Sequence, residues 1–499
     1  MIRNMRNCWS MLLLCCSLSF ASDERPNILF IVSEDNGPEL GCYGDPYART
    51  PNLDQLAASG VLFRRAFVPQ AGCSQSRASF LTGLYPHQHG QIGLATWGFR
   101  LASEETPNLP RSLKEVGYRT GLIGKLHINP ESAFPFDMHE KPSANFARKK
   151  LKDYARRADA FINAGDAPFF LSVNYPDAHS PWLRQVGGLP EHPQSADEVH
   201  VLDYMGIDPP ALRKLMANHY NCMSRLDSLV GDLLEVLDRS GKSKNTIVIY
   251  FGDHGADFLR GKRTCNEGGL RIPLLMRWPA RISAQERDEL VSTIDLMPTL
   301  LVAANAHPVA NLPGESLLSL VSDGETNWRD YFCAEYHTHA AAPNYFPQRS
   351  IRGARYKLIE TLLPDTVHPD YAVTIQKINQ ALPKGSQTIE ESIEQSQSVV
   401  REAYRLMERP TRFQLYDLEQ DPHEFHNIAD DPKYAVTLEE LKGQLDQWRE
   451  KTNDPLLDEE ILKLLTKEVQ SVENKTDAKD HTWKYPEHFI WYRKLKGVN

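Results

Sequence analysis

Four short polar clusters, each closing an apolar run, hold most of the side chains in this chain that could do chemistry. Glu34 and Asp35 follow the run that starts at residue 27, Lys125 and His127 follow 120–124, Asp177 and His179 follow 168–175, and Asp253 and His254 follow 246–251. Carboxylates at two run ends, with His254 beside them, form an oxygen-rich donor set that suits a hard divalent cation such as Ca²⁺ or Mg²⁺. Lys125, His127, His179, Lys262 and Arg263 add positive charge. Acids able to hold a metal, ringed by cations, describe a site for a tetrahedral oxyanion ester. The metal polarises the oxyanion, and fixed positive groups stabilise the charge that develops as the bond breaks. A candidate nucleophile, Cys73, opens the stretch Cys73-Ser74-Gln75-Ser76-Arg77, ahead of a helical segment at 78–82. The start of a helix favours an anion there. Read blandly, Cys73 is a free thiol at a loop–helix junction and each acid caps a following helix. That reading is reasonable for any one cluster and poor for all four together.

The elements that must carry these residues follow from hydrophobic periodicity. The near-continuous apolar run 27–33 reads as a strand covered on both faces, as in a parallel sheet. Similar runs at 120–124, 168–175, 246–251 and 272–276 predict further strands. The stripe Leu212, Leu215, Met216, Met223, Leu226, Leu229, Val230, Leu233 and Leu237 predicts one long helix over 209–239. Alternating strands and helices indicate an α/β sandwich with a large, mostly parallel sheet. In such a sheet the carboxyl ends of the strands share one edge, and ligands bind there. After about residue 325 the rhythm shortens to strands near 330–336, 350–353, 356–360 and 412–416, then an amphipathic helix over 432–451. This predicts a smaller C-terminal α+β subdomain with a short antiparallel sheet. The expected boundaries are 22–325 for the catalytic α/β domain and 326–455 for the subdomain. An insertion lies near 365–408, and a charged tail at 456–499 wraps the surface.

The composition bounds the class. The chain has 499 residues, 41% hydrophobic and 24% charged, the profile of a folded globular protein. Arg3 and Arg6, the apolar stretch 11–20 and Ser19-Phe20-Ala21 read as a secretory signal peptide over 1–21, so the expected location is exported, periplasmic or secreted. Beyond it, no apolar run is long enough to span a bilayer. Removing 1–21 takes away two Arg and no acid, leaving 54 Lys and Arg against 65 Asp and Glu. That acidic balance argues against a nucleic-acid partner, so any anion must be gripped by a local cluster. Five cysteines remain (Cys42, Cys73, Cys222, Cys265 and Cys333), too scattered for a disulfide framework or a zinc site.

The stretch Cys73 to Arg77, continued by Ala78-Ser79-Phe80-Leu81-Thr82-Gly83, resembles the signature of the type I, formylglycine-dependent sulfatases. Around it, 27–37, Thr50-Pro51-Asn52-Leu53-Asp54, Gly124-Lys125-Leu126-His127, 251–255 and 261–273 are similar to other elements of that family. The likeness runs from residue 26 to about 450. It implies an alkaline-phosphatase-like sandwich and a hydrolase of sulfuric esters or sulfamates. It implies that a formylglycine-generating enzyme or anaerobic maturase oxidises Cys73 to formylglycine (3-oxoalanine), whose hydrate attacks sulfur. By the same resemblance Arg77 orients that group, and Glu34, Asp35, Asp253 and His254, beside Cys73, hold Ca²⁺. Lys125, His127, His179 and Lys262 contact the sulfate, one histidine protonating the leaving group. The chain departs from the family pattern at Gln75, where proline or alanine is usual, at Glu34, where aspartate is usual, and at His254, where many members have asparagine.

Local stretches at 83–93, 135–137, 414–424 and 441–455 are similar to the heparan N-sulfatases, which implies glucosamine N-sulfate in heparan or heparin fragments as substrate. The alternatives are an O-sulfatase on another sulfated glycan, a phosphonate or phosphate monoester hydrolase of the same superfamily, and a sulfated-glycan binding protein with unmodified Cys73. Asp177, Glu335 and His337 are candidate sugar-binding residues, with turn capping or surface-loop polarity as the plainer reading; His339 lies in the same stretch. Large carbohydrate hydrolases often dimerise, which makes a homodimer the candidate assembly, with no interface marked in the sequence.

Overall fold

The computed structural model describes residues 25–141, 150–322, 327–364 and 366–497. The signal-peptide reading, residues 1–21, lies outside the described residues. The main sheet is built from β1 (Asn27–Ser33), β2 (Val61–Phe67), β3 (Arg119–Gly124), β4 (Met138–Glu140), β5 (Phe169–Asn174), β6 (Thr246–Gly252), β7 (Arg271–Ile272), β8 (Leu274–Arg277) and β9 (Gln285–Ser292). Its order is β4-β3-β5-β1-β6-β8-β2-β7, with β9 also pairing to β2. From β4 to β6 all neighbours run parallel. Beyond β6 the sheet is mixed: β8 is antiparallel to β6 and β2, β7 is antiparallel to β2, and β9 is parallel to β2. The single strand expected at 272–276 is divided by Pro273, which has no amide hydrogen to give to a ladder. The expectations missed β2, whose Arg64 and Arg65 interrupt its apolar pattern.

Side chains alternate across β1. Leu29 and Ile31 enter one apolar core with the helices Asp153–Ile162 and Pro210–Arg239. Ile28, Phe30 and Val32 enter the opposite core with the helix Cys73–Thr82. Phe30 sits edge-on to Phe80, Phe170 and Phe251, with ring centroids 6.3, 5.3 and 5.2 Å away. Each such pair adds about 0.5–1.5 kcal/mol beyond simple burial. This aromatic knot fixes the helix that begins at Cys73 against β1, β5 and β6.

The C-terminal sheet is β10 (Phe332–Tyr336), β11 (Gln348–Arg352), β12 (Tyr356–Thr361) and β13 (Phe413–Asp417), all antiparallel in sequence order. The helix Ala435–Lys451 covers it through Leu441 and Leu445. Between β12 and β13 the helices Pro369–Ala381, Ile389–Glu394 and Ser398–Glu408 place Ile375, Ile378, Ile389, Val400 and Tyr404 in the core of the larger domain. The final segment forms the helices Glu459–Gln470, Lys475–Asp480 and Tyr485–Leu495. Their Ile461, Leu465, Val469, Trp483, Tyr485 and Phe489 share a core with Ile92, Trp97 and Phe99. No helix among the described residues is long and apolar enough to cross a membrane.

Candidate active site

The parallel register places the ends of β1, β5 and β3 side by side, with Val32 opposite Asn174 and Asn174 opposite Gly124, while Ser33 pairs with Gly252 of β6. The clusters that follow these four strands therefore meet at one sheet edge. Asp35 turns away from β1 in the left-handed region, with φ of 52°, a conformation that aspartate tolerates better than most residues. Its backbone amide donates to Asp253 Oδ1 at 3.0 Å, tying the ends of β1 and β6 together.

Cys73 is the first residue of its helix, and every residue of that helix is buried. The helix ends at Gly83, whose φ of 69° lets its amide reach the Ser79 carbonyl, a left-handed cap that glycine adopts without strain. Cys73 Sγ is enclosed by ionisable groups. It lies 3.2 Å from Lys262 Nζ, 3.3 Å from His254 Nε2 and 4.0 Å from Asp35 Oδ1. Burial alone would raise its pKa, but Lys125, Lys262 and His254 outweigh that and bring the thiol down to about 6.

Arg77, one turn along the helix, is fully buried and fully paired. Its guanidinium reaches Asp253 Oδ2 at 3.1 Å, Glu34 Oε1 at 3.3 Å, Asn174 Oδ1 at 2.8 Å and the Lys125 carbonyl at 3.0 Å. Lys125 Nζ meets Glu34 Oε2 at 3.1 Å, and Lys262 Nζ lies 3.0 and 3.1 Å from the two Asp35 oxygens. Burial resists charge on Asp35, yet Lys262, His179 and His254 hold its carboxyl well below the usual range. Burial likewise disfavours charged His254, but Asp253 raises it to about 9.

The donor set fits a divalent cation. Asp35 Oδ1 and Asp253 Oδ1 lie 3.3 and 3.6 Å from His254 Nε2. Asp253, His254 and Cys73 form one group that could hold a metal, and Asp35, His179 and Cys73 another. Two buried carboxylates converging with an imidazole suit Ca²⁺ or Mg²⁺. Glu34 belongs to neither group, and its carboxylate pairs with Arg77 and Lys125.

The cluster is largely closed to solvent. Its most accessible side chains are those of Lys125 and His179, 9% and 15% exposed, together with half-buried His127. His179 Nδ1 donates to the Ser180 carbonyl at 2.6 Å, which leaves Nε2 toward Asp35 Oδ2 at 3.8 Å. Both ring nitrogens of His127 are buried without a hydrogen-bond partner. Burial, then Lys125, Arg77 and Lys262, hold its pKa well below normal, so the ring stays neutral.

The structure does not bring Asp177, Glu335 or His337 to the accessible side of this cluster. Asp177 is fully buried and bound to Arg225 through two contacts of 2.7 and 2.8 Å. Because the Arg225 guanidinium also donates to the Leu183 carbonyl, the pair braces the loop that presents His179. Glu335 accepts from the His87 amide at 2.8 Å and from its Nδ1 at 2.7 Å, and lies 3.3 Å from His337 Nε2, all three residues being buried. They belong to a buried charge network that continues through Arg349 to Asp454. His339, in the same stretch, feels the charge of the site: burial, then Lys262 and Arg263, hold its pKa well below normal. The sequence signal for Glu335, His337 and His339 was their place at the end of an expected C-terminal strand; β10 does end at Tyr336, but Glu335 and His337 on either side of that end are buried. Asn174 and Arg225 had no local signal. Among the described residues, no two cysteines form a disulfide.

The sulfatase family model matches residues 26–306, and the model of the N-sulphoglucosamine sulphohydrolase C-terminal region matches 252–367 and 387–451, passing over 368–386. Human N-sulphoglucosamine sulphohydrolase is 32% identical over 484 residues, spanning 88% of this chain and 94% of that protein. A putative sulfatase from Bacteroides thetaiotaomicron superposes with a TM-score of 0.66 at 23% identity, covering 93% of this chain and 98% of the other. A structure described as complexed with its substrate D-glucosamine-2-N,6-O-disulfate superposes with a TM-score of 0.62 at 19% identity, covering 86% and 99%. At those identities the two structures speak to fold alone.

Proposed function

The chain belongs to the sulfatase family, and from that premise we propose that it hydrolyses the N-sulfate of glucosamine in heparan or heparin fragments. The observation that carries this reading is the combination of a cation-lined site at the sheet edge with likeness to an N-sulphoglucosamine sulphohydrolase across both domains. Asp35, Asp253 and His254, with Glu34 beside them, would hold Ca²⁺, which supplies charge neutralisation and polarisation of a sulfate oxygen. Oxidation of Cys73 by a formylglycine-generating enzyme or anaerobic maturase would supply a hydrated aldehyde, and with it a hydroxyl nucleophile toward sulfur.

The chain's own residues do the rest. Arg77, locked by four acceptors, holds the nucleophile's helix to the metal-binding strands. Lys262 and Lys125 flank the nucleophile position and stabilise the negative oxygens of the transferring group. Neutral His127 donates a hydrogen bond to a sulfate oxygen. His179, with its Nδ1 proton committed to Ser180, protonates the departing glucosamine nitrogen from Nε2. Burial of Asp35, Asp253, His254 and Cys73 excludes bulk water and strengthens each of these interactions. The leader reading supports a periplasmic or secreted location.

The test is a panel of N-, 2-O-, 3-O- and 6-O-sulfated glucosamine-containing mono- and disaccharides, incubated with protein co-produced with a maturation enzyme. Release from the N-sulfated sugars should exceed release from the others by at least about tenfold in kcat/KM. A preference for any O-sulfate overturns the proposed specificity. Mass analysis of the Cys73 peptide should show aldehyde in place of thiol.

A further inference from the structure

Lys262 comes from a loop whose backbone has no regular element to hold it. Arg260 and Arg263 flank it with φ of 60° and 70°, a left-handed conformation that non-glycine residues adopt only when surrounding contacts enforce it. Arg260 is enforced from the C-terminal subdomain, its guanidinium donating to the carbonyls of His423 and Glu424 at 2.9 and 2.7 Å. Arg263 is enforced from elsewhere. Its Nε lies 3.0 Å from both oxygens of Asp370, and its terminal nitrogens reach Thr374 Oγ1 at 3.0 Å and Asp257 Oδ1 at 2.8 Å.

Asp370 and Thr374 sit on the helix Pro369–Ala381. One turn further on, Lys377 pairs with Asp257 of the same loop. The Lys377 amine also lies 5.7 Å from the centre of the Trp182 ring, which stacks on Phe258 at 4.4 Å. The helix thus grips the Lys262 loop at Asp257 and Arg263 and touches Trp182, three residues beyond His179. It occupies the stretch that the C-terminal family model passes over.

We propose that this inserted helix is a latch that positions Lys262, with Asp370, Thr374 and Arg263 as positioning residues. Asp370 cancels the Arg263 charge and fixes the direction of its side chain. That fixes the peptide between residues 262 and 263, and so the reach of the amine that sits 3.2 Å from Cys73 Sγ and 3.0 Å from Asp35. Loosening the latch lets the amine wander by a fraction of an ångström, which weakens transition-state stabilisation more than substrate binding. The inference rests on the sulfatase reading of the site.

The test uses the full chain, matured, as Asp370→Asn, Asp370→Glu, Thr374→Val and Lys262→Ala, with Cys73 conversion and melting temperature recorded for each. Asp370→Asn should lower kcat about tenfold with KM changed less than about twofold and Cys73 conversion unchanged, and Asp370→Glu should recover most of it. Should Asp370→Asn not fold, Thr374→Val, which removes the hydrogen bond its hydroxyl accepts from Arg263 and the one it donates to Asp370, carries the test with an expected fall of about threefold in kcat. Parental kcat in the folded variant overturns the latch. An equal rise in KM without a fall in kcat also overturns it. Lys262→Ala should lose more than about a hundredfold. Parental turnover in that variant would instead remove the role given to Lys262 in the proposed mechanism.

Discussion

Cys73 is surrounded by groups that have no structural need to be together. Lys125, Lys262 and His254 surround a sulfur that contributes little packing, and the thiol is shifted down to about 6 as a result. Cys73→Ala should therefore abolish sulfate release, by more than about a thousandfold, while the melting temperature stays within about 3 °C of the parent. Sulfate release and differential scanning fluorimetry on the same preparation check both halves. The neighbouring carboxylates make a second claim. Dialysis against a chelator should remove turnover and lower the melting temperature, and Ca²⁺ should restore both, a cation at a hundred times its Kd adding about 2.7 kcal/mol. Asp253→Asn should prevent the recovery, because Asp253 also holds Arg77 and the amide of Asp35. Gln75, the unusual residue of the signature, donates to the carbonyls of Ile92 and Thr338 at 3.2 and 2.7 Å. Its amide thus ties the nucleophile helix to two loops, work that proline or alanine there would leave undone.

Elements join through buried charge as much as through apolar packing. Asp454, just after the helix Ala435–Lys451, receives Arg349 of β11 at 2.7 and 2.8 Å and Arg449 at 2.8 Å. Arg349 continues to Glu335, and Glu335 to His87. Burial opposes charge on Asp454, yet Arg349 and Arg449 more than offset it and keep the carboxyl ionised far below its ordinary range. An unfolded chain protonates Asp454 near pH 3.9. Below that the unfolded state binds the extra proton, so this contribution is complete above about pH 4 and is lost as the pH falls further. Asp454→Asn should cost about 3–5 kcal/mol at pH 7, since it takes the shared carboxylate from two buried guanidinium groups and leaves each with only its longer ion pair, to Glu335 or Glu360. It should also flatten the loss of stability as the pH falls below about 4, as read from urea midpoints.

At the scale of the molecule, the final segment acts as a cover. Trp483 stacks on Phe99 at 4.0 Å, and the Tyr485 hydroxyl donates to the carbonyls of Gly90 and Arg100. The segment it covers, 92–99, is bonded in turn to Ser74 and Gln75 of the nucleophile helix. Ending the chain at residue 455 would bare Ile92, Trp97 and Phe99, each large side chain worth about 1.5–3 kcal/mol of burial. The shortened protein should bind a hydrophobic dye, sediment as aggregates and lose sulfate release. A soluble, active product would show that the cover is dispensable.

Much of this protein was legible in its sequence because the informative signals are local. Continuous apolar runs marked β1, β3, β5 and β6, and the polar residues that close them, with the stretch from Cys73 to Arg77, marked the site. Parallel strands must end on one edge, so local patterns were enough to bring Asp35, Asp253, Lys125 and His179 together. Only the tertiary structure could decide which polar residues enter the site and which are consumed as braces. Asp177, Glu335 and His337 look like site residues in the chain, but Asp177 is engaged by Arg225 from 48 residues away, and Glu335, beside His337, by His87 and Arg349 from 248 and 14 residues away. The reach of Lys262 was likewise invisible, since it depends on Asp370, 107 residues beyond Arg263. A side chain's type is written at its own position, but the partner that consumes or aims its charge is chosen by packing between distant segments.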